Sequence, residues 1–354
     1  MKRKHFIALD THCEFCELAA ATEAGPVKWR ERCATTIPAL VEAVEKVPST
    51  RHLVVEEGPI ADWLFRNLAG HVDELVVCDP RRNHLIAKDS DKDDAIDAEK
   101  LLELFRGGYT KPVHHPESFD RVVFKQHVGL YHDRVRQRVR EANRIMSQFR
   151  RHGVFIREAQ FVAAASRPAL VERLPKHQVV RSDIELLWKG YDVVCEQVEA
   201  LRKSLERLSR GEPQVRRFTE LPGVGWIRAA TFFTCVDTPW RFRAKAALWR
   251  YLGIGLERRH SGSGPVQLRV PHAVNRTLKC VILGAAMSAV ASGSNPFADQ
   301  HERWLADGIS PRNARRNVAR SLAAVLWGMW KTGGAYRPEW VGVAAASALE
   351  RCSN

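Results

Sequence analysis

His5-Phe6-Ile7-Ala8-Leu9-Asp10 is an apolar run that ends on a carboxylate, and Leu53-Val54-Val55-Glu56 repeats the pattern. Short apolar runs bounded by polar residues read as buried strands. Asp10 and Glu56 therefore sit where two strands run out into loops. Residues 13–20 and Glu74–Cys78 read as further strands, and residues 37–47, 60–68 and 97–105 as helices. Two strands joined by a short turn, then strands separated by helices, predict a mixed sheet with helices packed on it. This α/β domain covers residues 1–115, with Gly107-Gly108 and Pro112 near its end.

A second pair of acids, Asp94 and Asp97, precedes the helical stretch that begins at Glu99. Three residues apart, they project from one face of a helix. Two strand-end acids and a helical acid pair are what a divalent-metal site needs, and an oxygen-only donor set suits Mg²⁺ rather than zinc. Phosphoryl transfer on nucleic acid is the chemistry such a site serves best. Each acid also has a plainer reading. An Asp after a strand is commonly a turn or cap residue, and D-x-x-D before a helix is commonly a cap with a dipole-favoured first turn.

The chain has 354 residues, with Lys+Arg 55 against Asp+Glu 41 for a net charge of +14. That balance suits a polyanionic partner. No long uncharged apolar stretch and no signal-peptide layout is present, so a membrane protein is not expected and a cytoplasmic one is. Eight cysteines are scattered. Only Cys13 and Cys16 are close, a lone C-x-x-C without the second pair of a structural zinc site, and all eight read as reduced thiols.

From residue 116 the pattern changes to all-α. Val128, Tyr131, Val135, Val139, Ala142, Met146 and Phe149 recur at spacings of three and four. So do Ile184, Leu187, Tyr191, Val194, Val198, Leu201, Leu205 and Leu208. A sustained 3.5-residue period predicts a coiled-coil middle domain over 116–212, paired antiparallel within one chain or between subunits of a homo-oligomer, dimer or tetramer. The first helix also carries Arg134, Arg136, Arg138, Arg140, Arg144, Arg150 and Arg151. They form either a solvated face or a phosphate-facing surface, in which Arg134, Arg138 and Arg144 would bind nucleic acid.

A third domain, 213–354, opens on Leu221-Pro222-Gly223-Val224-Gly225 between two helical stretches. It resembles a helix-hairpin-helix, whose glycines (here Gly223 and Gly225) let backbone N–H groups approach a DNA phosphate. An ordinary αα turn has the same outline. Further on come Arg258-Arg259-His260-Ser261-Gly262-Ser263-Gly264 and then Arg269. Ser-Gly-Ser-Gly by composition is a flexible loop.

Asp10-Thr11-His12, Glu56-Glu57-Gly58-Pro59 and Asp94-Ala95-Ile96-Asp97-Ala98, taken in order, resemble the DEDD-type insertion-sequence transposases, the bridge-RNA-guided recombinases. The C-terminal order Tyr251-Leu252-Gly253-Ile254-Gly255, Ser261-Gly262, Asn275-Arg276-Thr277-Leu278-Lys279 resembles the same family. Val270-Pro271-His272-Ala273-Val274 departs from it, lacking the family's basic and glycine residues there. The resemblance implies a ribonuclease-H/RuvC-like first domain whose DEDD acids are Asp10, Glu56, Asp94 and Asp97. The alignment favours Glu56 over Glu57, and a strand sends the two to opposite faces. It further implies Ser261 as the catalytic serine; Ser263, two residues on in the same loop, is the alternative, and the nearby Arg258, Arg259, His260 and Arg269 read by their charge as groups that would face nucleic acid. A serine hydroxyl is a poor nucleophile until a base, a metal or nearby cations activate it. Implied partners are donor and target DNA and a structured noncoding (bridge) RNA, with sequence choice delegated to base pairing. Two rival readings are a RuvC-like junction nuclease that hydrolyses DNA with the four acids alone, and a non-catalytic nucleic-acid-binding protein.

Overall fold

A computed structural model of the protein describes residues 3–83, 94–116, 118–259, 267–271 and 274–341. The chain forms two compact units, Met1–Glu117 and Ser118–Asn354.

The first unit is a five-stranded mixed sheet with helices on both faces. Its elements are β1 (His5–Thr11), β2 (Phe15–Thr22), β3 (Trp29–Ala34), α1 (Ile37–Glu45), β4 (Arg51–Glu56), α2 (Ala61–Leu68), β5 (Glu74–Cys78), α3 (Pro80–Asn83) and α4 (Asp94–Arg106). Strand order is β3-β2-β1-β4-β5. β1, β2 and β3 pair antiparallel, while β4 and β5 continue parallel to β1. This α/β arrangement is consistent with a ribonuclease-H-like transposase domain. Alternation along the strands divides the core. Ile7, Leu9, Leu18, Leu53 and Val55 meet α1 and α2 through Leu40, Val44, Leu64 and Leu68. Ala8, Ala19, Ala21 and Val54 face α4 through Ala98, Leu101 and Leu102. Three alanines on that face leave room for α4 to lie close to the strands.

Two local expectations change. β2 begins at Phe15, so Cys13 is not in a strand but exposed in the turn, where His12 N–H donates to the Phe15 carbonyl at 3.0 Å. β3, Trp29-Arg30-Glu31-Arg32-Cys33-Ala34, was not legible as a strand. It lies at the sheet edge, where charged side chains discourage pairing with another chain.

The second unit is nearly all helix. α5 (Phe119–Arg151) and α7 (Gln178–Gly211) lie antiparallel, with the short α6 (Arg167–Val171) between them in sequence. Ile145 and Phe149 pack with Ile184 and Trp188 at one end, and Phe124 and Val128 join Leu205 in a common core at the other. The heptad seam of α7 is thus covered by α5 of the same chain and does not by itself call for a second subunit. Then follow α8 (Pro213–Phe218), α9 (Trp226–Val236), α10 (Lys245–Tyr251), the ribbon β6 (Glu257–Arg259) with β7 (Gln267–Arg269), α11 (Arg276–Ala291), α12 (Pro296–Ala306) and α13 (Pro311–Thr332). α9 buries Ala229, Ala230, Thr231, Phe232, Phe233 and Val236, side chains that point all round its axis. A helix apolar all round belongs at a core, and α9 packs against α5, α7, α8 and α11. Among the described residues no single helix is long and apolar enough to cross a membrane, and the seven cysteines there are free thiols.

Candidate functional site

Asp10 is the penultimate residue of β1 and Glu56 the last of β4. Counting alternate residues from Ala8 and Val54 sends both acids to the sheet face that α4 covers. Glu56 is half-buried. Burial pushes its carboxyl above the ordinary range, and the negative charges of Asp10, Asp97 and Asp79 add to that, against a hydrogen bond from Asn83 that opposes it. Asn83 Nδ2 donates to Glu56 Oε1 at 2.7 Å. Glu57 lies past the strand, exposed.

Asp97 stands in the first turn of α4, with Lys100 Nζ 4.0 Å from its carboxylate. At the other end of the helix Arg106 donates to the carbonyl oxygens of Thr22, the last residue of β2, and of Gly25 just beyond it. α4 therefore runs antiparallel to β1 and brings its N-terminus to the edge where β1, β4 and β5 end. That is also the edge of the sheet where open α/β folds collect their chemistry. Asp94 is the first residue of α4; its side chain lies outside the described part of the structure.

Four neighbours of these acids escaped the sequence reading. His12 Nε2 lies 3.0 Å from Asp10 Oδ2, while the Thr11 N–H donates to Asp10 Oδ1 at 3.0 Å. Asp79 directly follows β5, and the rule that selects Asp10 and Glu56 would have selected it too. Its Oδ1 accepts from the Arg81 N–H at 3.1 Å. Buried Glu17 stands opposite Asp10 across the β1–β2 pair and is held in an ion pair by Arg32. Asn83 had no sequence signal, because only the folding of α3 against β4 reveals it.

The donor set around Glu56 is carboxylate oxygen, which fits a hard divalent cation. Among the described residues no three His, Cys, Asp or Glu side chains are gathered tightly enough to hold a metal. Crowded like charges on Glu56 are the feature that a cation would relieve.

In the second unit, Ser261 and Ser263 lie outside the described residues, as do His260 and the side chains of Arg258 and Arg259. The strands that flank the serine segment, β6 and β7, pair with Glu257 opposite Arg269, and Arg269 is exposed. Arg134 pairs with Asp133 at 2.6 Å, Arg138 with Glu158 at 3.6 Å and Arg144 with Glu141 at 3.1 Å. Each of the three arginines thus already has a carboxylate of its own chain beside it. Gly223 and Gly225 differ from one another. Gly223 has φ +78°, and a Cβ there would come within 2.7 Å of the Ala289 backbone nitrogen and closer still to the Ala285 carbonyl oxygen. It is the point where the turn after α8 touches α11, and Arg228 clamps it by donating to its carbonyl at 2.6 Å and to Ser288 Oγ at 2.9 Å. Gly225 caps α9 at φ −85° with open space around its Cα.

Residues 203–302 match the Transposase IS116/IS110/IS902 family. The curated protein named "Putative transposase y4pF/y4sB" of Sinorhizobium fredii (strain NBRC 101917 / NGR234) is 26% identical over 309 residues, covering 84% of this chain and 77% of its own. Both findings support an insertion-sequence transposase. The span matched by the family runs from inside α7 to inside α12. It takes in the Gly223–Gly225 turn, α9, the β6–β7 ribbon and the Ser261 segment. Over residues 221–298 it holds ten Lys and Arg against two acids, Asp237 and Glu257. So basic a span suits the DNA that a transposase is expected to bind.

Proposed function

We propose that the protein cuts and rejoins DNA as the transposase of an insertion sequence, through a phosphoserine intermediate on Ser261. The match of residues 203–302, a span that includes Ser261, to a transposase family carries this reading, and the negative charges of Asp10, Asp97 and Asp79 near the half-buried Glu56 support a cation at that edge of the sheet. Mg²⁺ held by Asp10, Glu56, Asp94 and Asp97 would supply charge stabilisation at the phosphodiester being transferred. Asn83 and His12 are second-line partners that fix the carboxylates of Glu56 and Asp10 in place.

In the proposed reaction the Ser261 oxygen bonds to phosphorus as the phosphorus–sugar oxygen bond breaks. The serine gives up its proton, and the outgoing sugar oxygen takes one up. Because an ester replaces an ester, bond energy is conserved and the reverse transfer reseals a strand without ATP. Arg258, Arg259 and His260 would offset the charge that builds on phosphorus. A structured noncoding RNA would choose donor and target DNA by base pairing, while the protein binds backbone and shape.

We assign self-association to the outer face of α7. There Val179, Leu186 and Val193, seven residues apart, are 57%, 68% and 52% exposed. A seven-residue apolar repeat makes one stripe on a helix, and this one faces away from α5.

The deciding experiment incubates the protein with element-end DNA and Mg²⁺ and resolves the products on a denaturing gel. Wild type and Ser263→Ala should yield a covalent protein–DNA species, and Ser261→Ala should not. Cleavage with no adduct in the wild type would instead establish the hydrolytic nuclease. Binding with neither cleavage nor adduct would establish a non-catalytic protein.

A further inference from the structure

Trp240 is 70% exposed, yet it is firmly held. It sits in the one-turn helix Pro239–Arg241, where Thr238 Oγ1 accepts from the Trp240 N–H at 3.4 Å. Pro239 is buried, and its carbonyl accepts from the indole N–H of Trp327 on α13 at 2.8 Å. One turn further along α13, the Lys331 amine lies 3.8 Å from the Trp327 ring centre and 5.0 Å from that of Trp240. An indole is thus presented to solvent on a rigid turn, beside an ammonium group stationed over two rings.

The sequence flanking this feature is strongly basic, and the acid nearest to Trp240 in sequence, Asp237, is mostly buried beside Arg121. Residues 238–256 carry Arg241, Arg243, Lys245 and Arg250 and no acid. Residues 308–338 carry Arg312, Arg315, Arg316, Arg320, Lys331 and Arg337 and no acid. A partner protein would need an unusually acidic face to meet such a surface, whereas any nucleic acid is a polyanion. In a duplex the base faces are stacked on one another and out of reach. In a single strand they are free to lie on an indole.

We propose that Trp240 is a stacking platform for an unpaired base of single-stranded DNA, with Lys331 taking the adjoining phosphate. The choice of DNA rests on the transposase reading, because strand exchange exposes unpaired bases. The pairing of aromatic face and cation does not depend on where the strand is cut.

The test is fluorescence anisotropy of the full chain with a labelled 20-nucleotide oligo(dT), a duplex of equal length and the matching oligo(U). This DNA is unrelated to any element end, so the result is independent of whether the chain cuts DNA. Trp240→Ala should weaken oligo(dT) binding by about tenfold, with duplex binding unchanged and Trp240→Phe restoring most of the loss. Lys331→Ala should lower the slope of log affinity against log salt by about 0.7. Trp240 is mostly exposed, so thermal melts of the variants should match wild type and exclude misfolding. Equal oligo(dT) affinity in Trp240→Ala would overturn the proposal, as would an equal loss on duplex or an effect on oligo(U) alone. A change in self-association by light scattering with oligo(dT) affinity intact would make Trp240 a protein contact and overturn it too.

Discussion

Gly223→Ala separates a DNA-contacting glycine from one that holds the fold. Its φ of +78° lies in the left-handed region, which costs a residue with a Cβ about 1–2 kcal/mol. The added methyl would also press on the Ala285 and Ala289 backbone of α11, and backbone yields less readily than a side chain. Overpacking of this kind costs about 1–3 kcal/mol, so the sum is about 2–5 kcal/mol. Eight of the ten tryptophans follow residue 118, so urea unfolding read by tryptophan emission reports chiefly on the second unit. With a slope of about 3 kcal/mol/M, the midpoint should fall by about 1 M. Gly225→Ala, at φ −85° in open space, should move it by much less. If Gly223→Ala keeps the wild-type midpoint but loses DNA binding, the packing argument is wrong and the hairpin glycine contacts phosphate instead.

Asp10→Asn, or wild type in excess chelator, should lose DNA cleavage with an unchanged circular-dichroism spectrum, and full activity in either would remove Asp10 from the site. Leu186→Glu should lower the mass seen by light scattering in the presence of DNA, because it sets a charge in the middle of the exposed α7 stripe; an unchanged mass would move the contact elsewhere. His132 carries the pH prediction. The Thr231 hydroxyl donates to the Ile227 carbonyl at 2.7 Å, so its oxygen accepts from His132 Nε2 at 2.8 Å, and burial pulls the imidazole from 6.5 down to about 4. Below pH 6.5 the unfolded chain takes up a proton that the fold refuses. Stability from the neutral ring is present above pH 6.5 and falls by about 3 kcal/mol as pH drops toward 4. His132→Gln should flatten melting temperature against pH between 6.5 and 4.5, and a slope equal to wild type would refute the assignment.

What could be read in the sequence was whatever rests on short-range pattern. Four of the five strands of the main sheet announced themselves as apolar runs, whereas β6 and β7 did not, and the heptads of α5 and α7 gave two helices that pair antiparallel. β3 hid because an edge strand buries little and carries Arg30, Glu31 and Arg32. Strand ends exposed Asp10 and Glu56; Asp10 is held by its neighbours Thr11 and His12, but the partner that fixes Glu56 comes from elsewhere in the chain. Asn83 reaches Glu56 only because α3 folds back over the end of β5, and spacing carries no trace of that. The arginine run of α5 shows a different limit. Counting charges finds Asp133 and Glu141 nearby, but only the fold brings Glu158 beside Arg138 and shows which arginine each acid meets. The seven-residue repeat of α7 likewise predicted a partner helix correctly, while leaving open which chain would supply it.

On the proposed reading, Glu56 is the acid whose cost to the fold is clearest. Burial and three negative neighbours all oppose its charge, and the one hydrogen bond from Asn83 offsets only part of that opposition. A glutamine would keep a hydrogen-bond acceptor for Asn83 and remove the repulsion. A fold selected for stability alone would have no reason to retain a carboxylate there. Asp79 has a structural task of its own, accepting from the Arg81 N–H at the start of α3, whereas the exposed Asp97 takes no part in the core that Ala98, Leu101 and Leu102 build. Groups held in a state that weakens the fold gather where a reaction uses them. On the proposed reading, the use that matches the chemistry is to draw a hard cation to the sheet edge where β1 and β4 end and α4 begins.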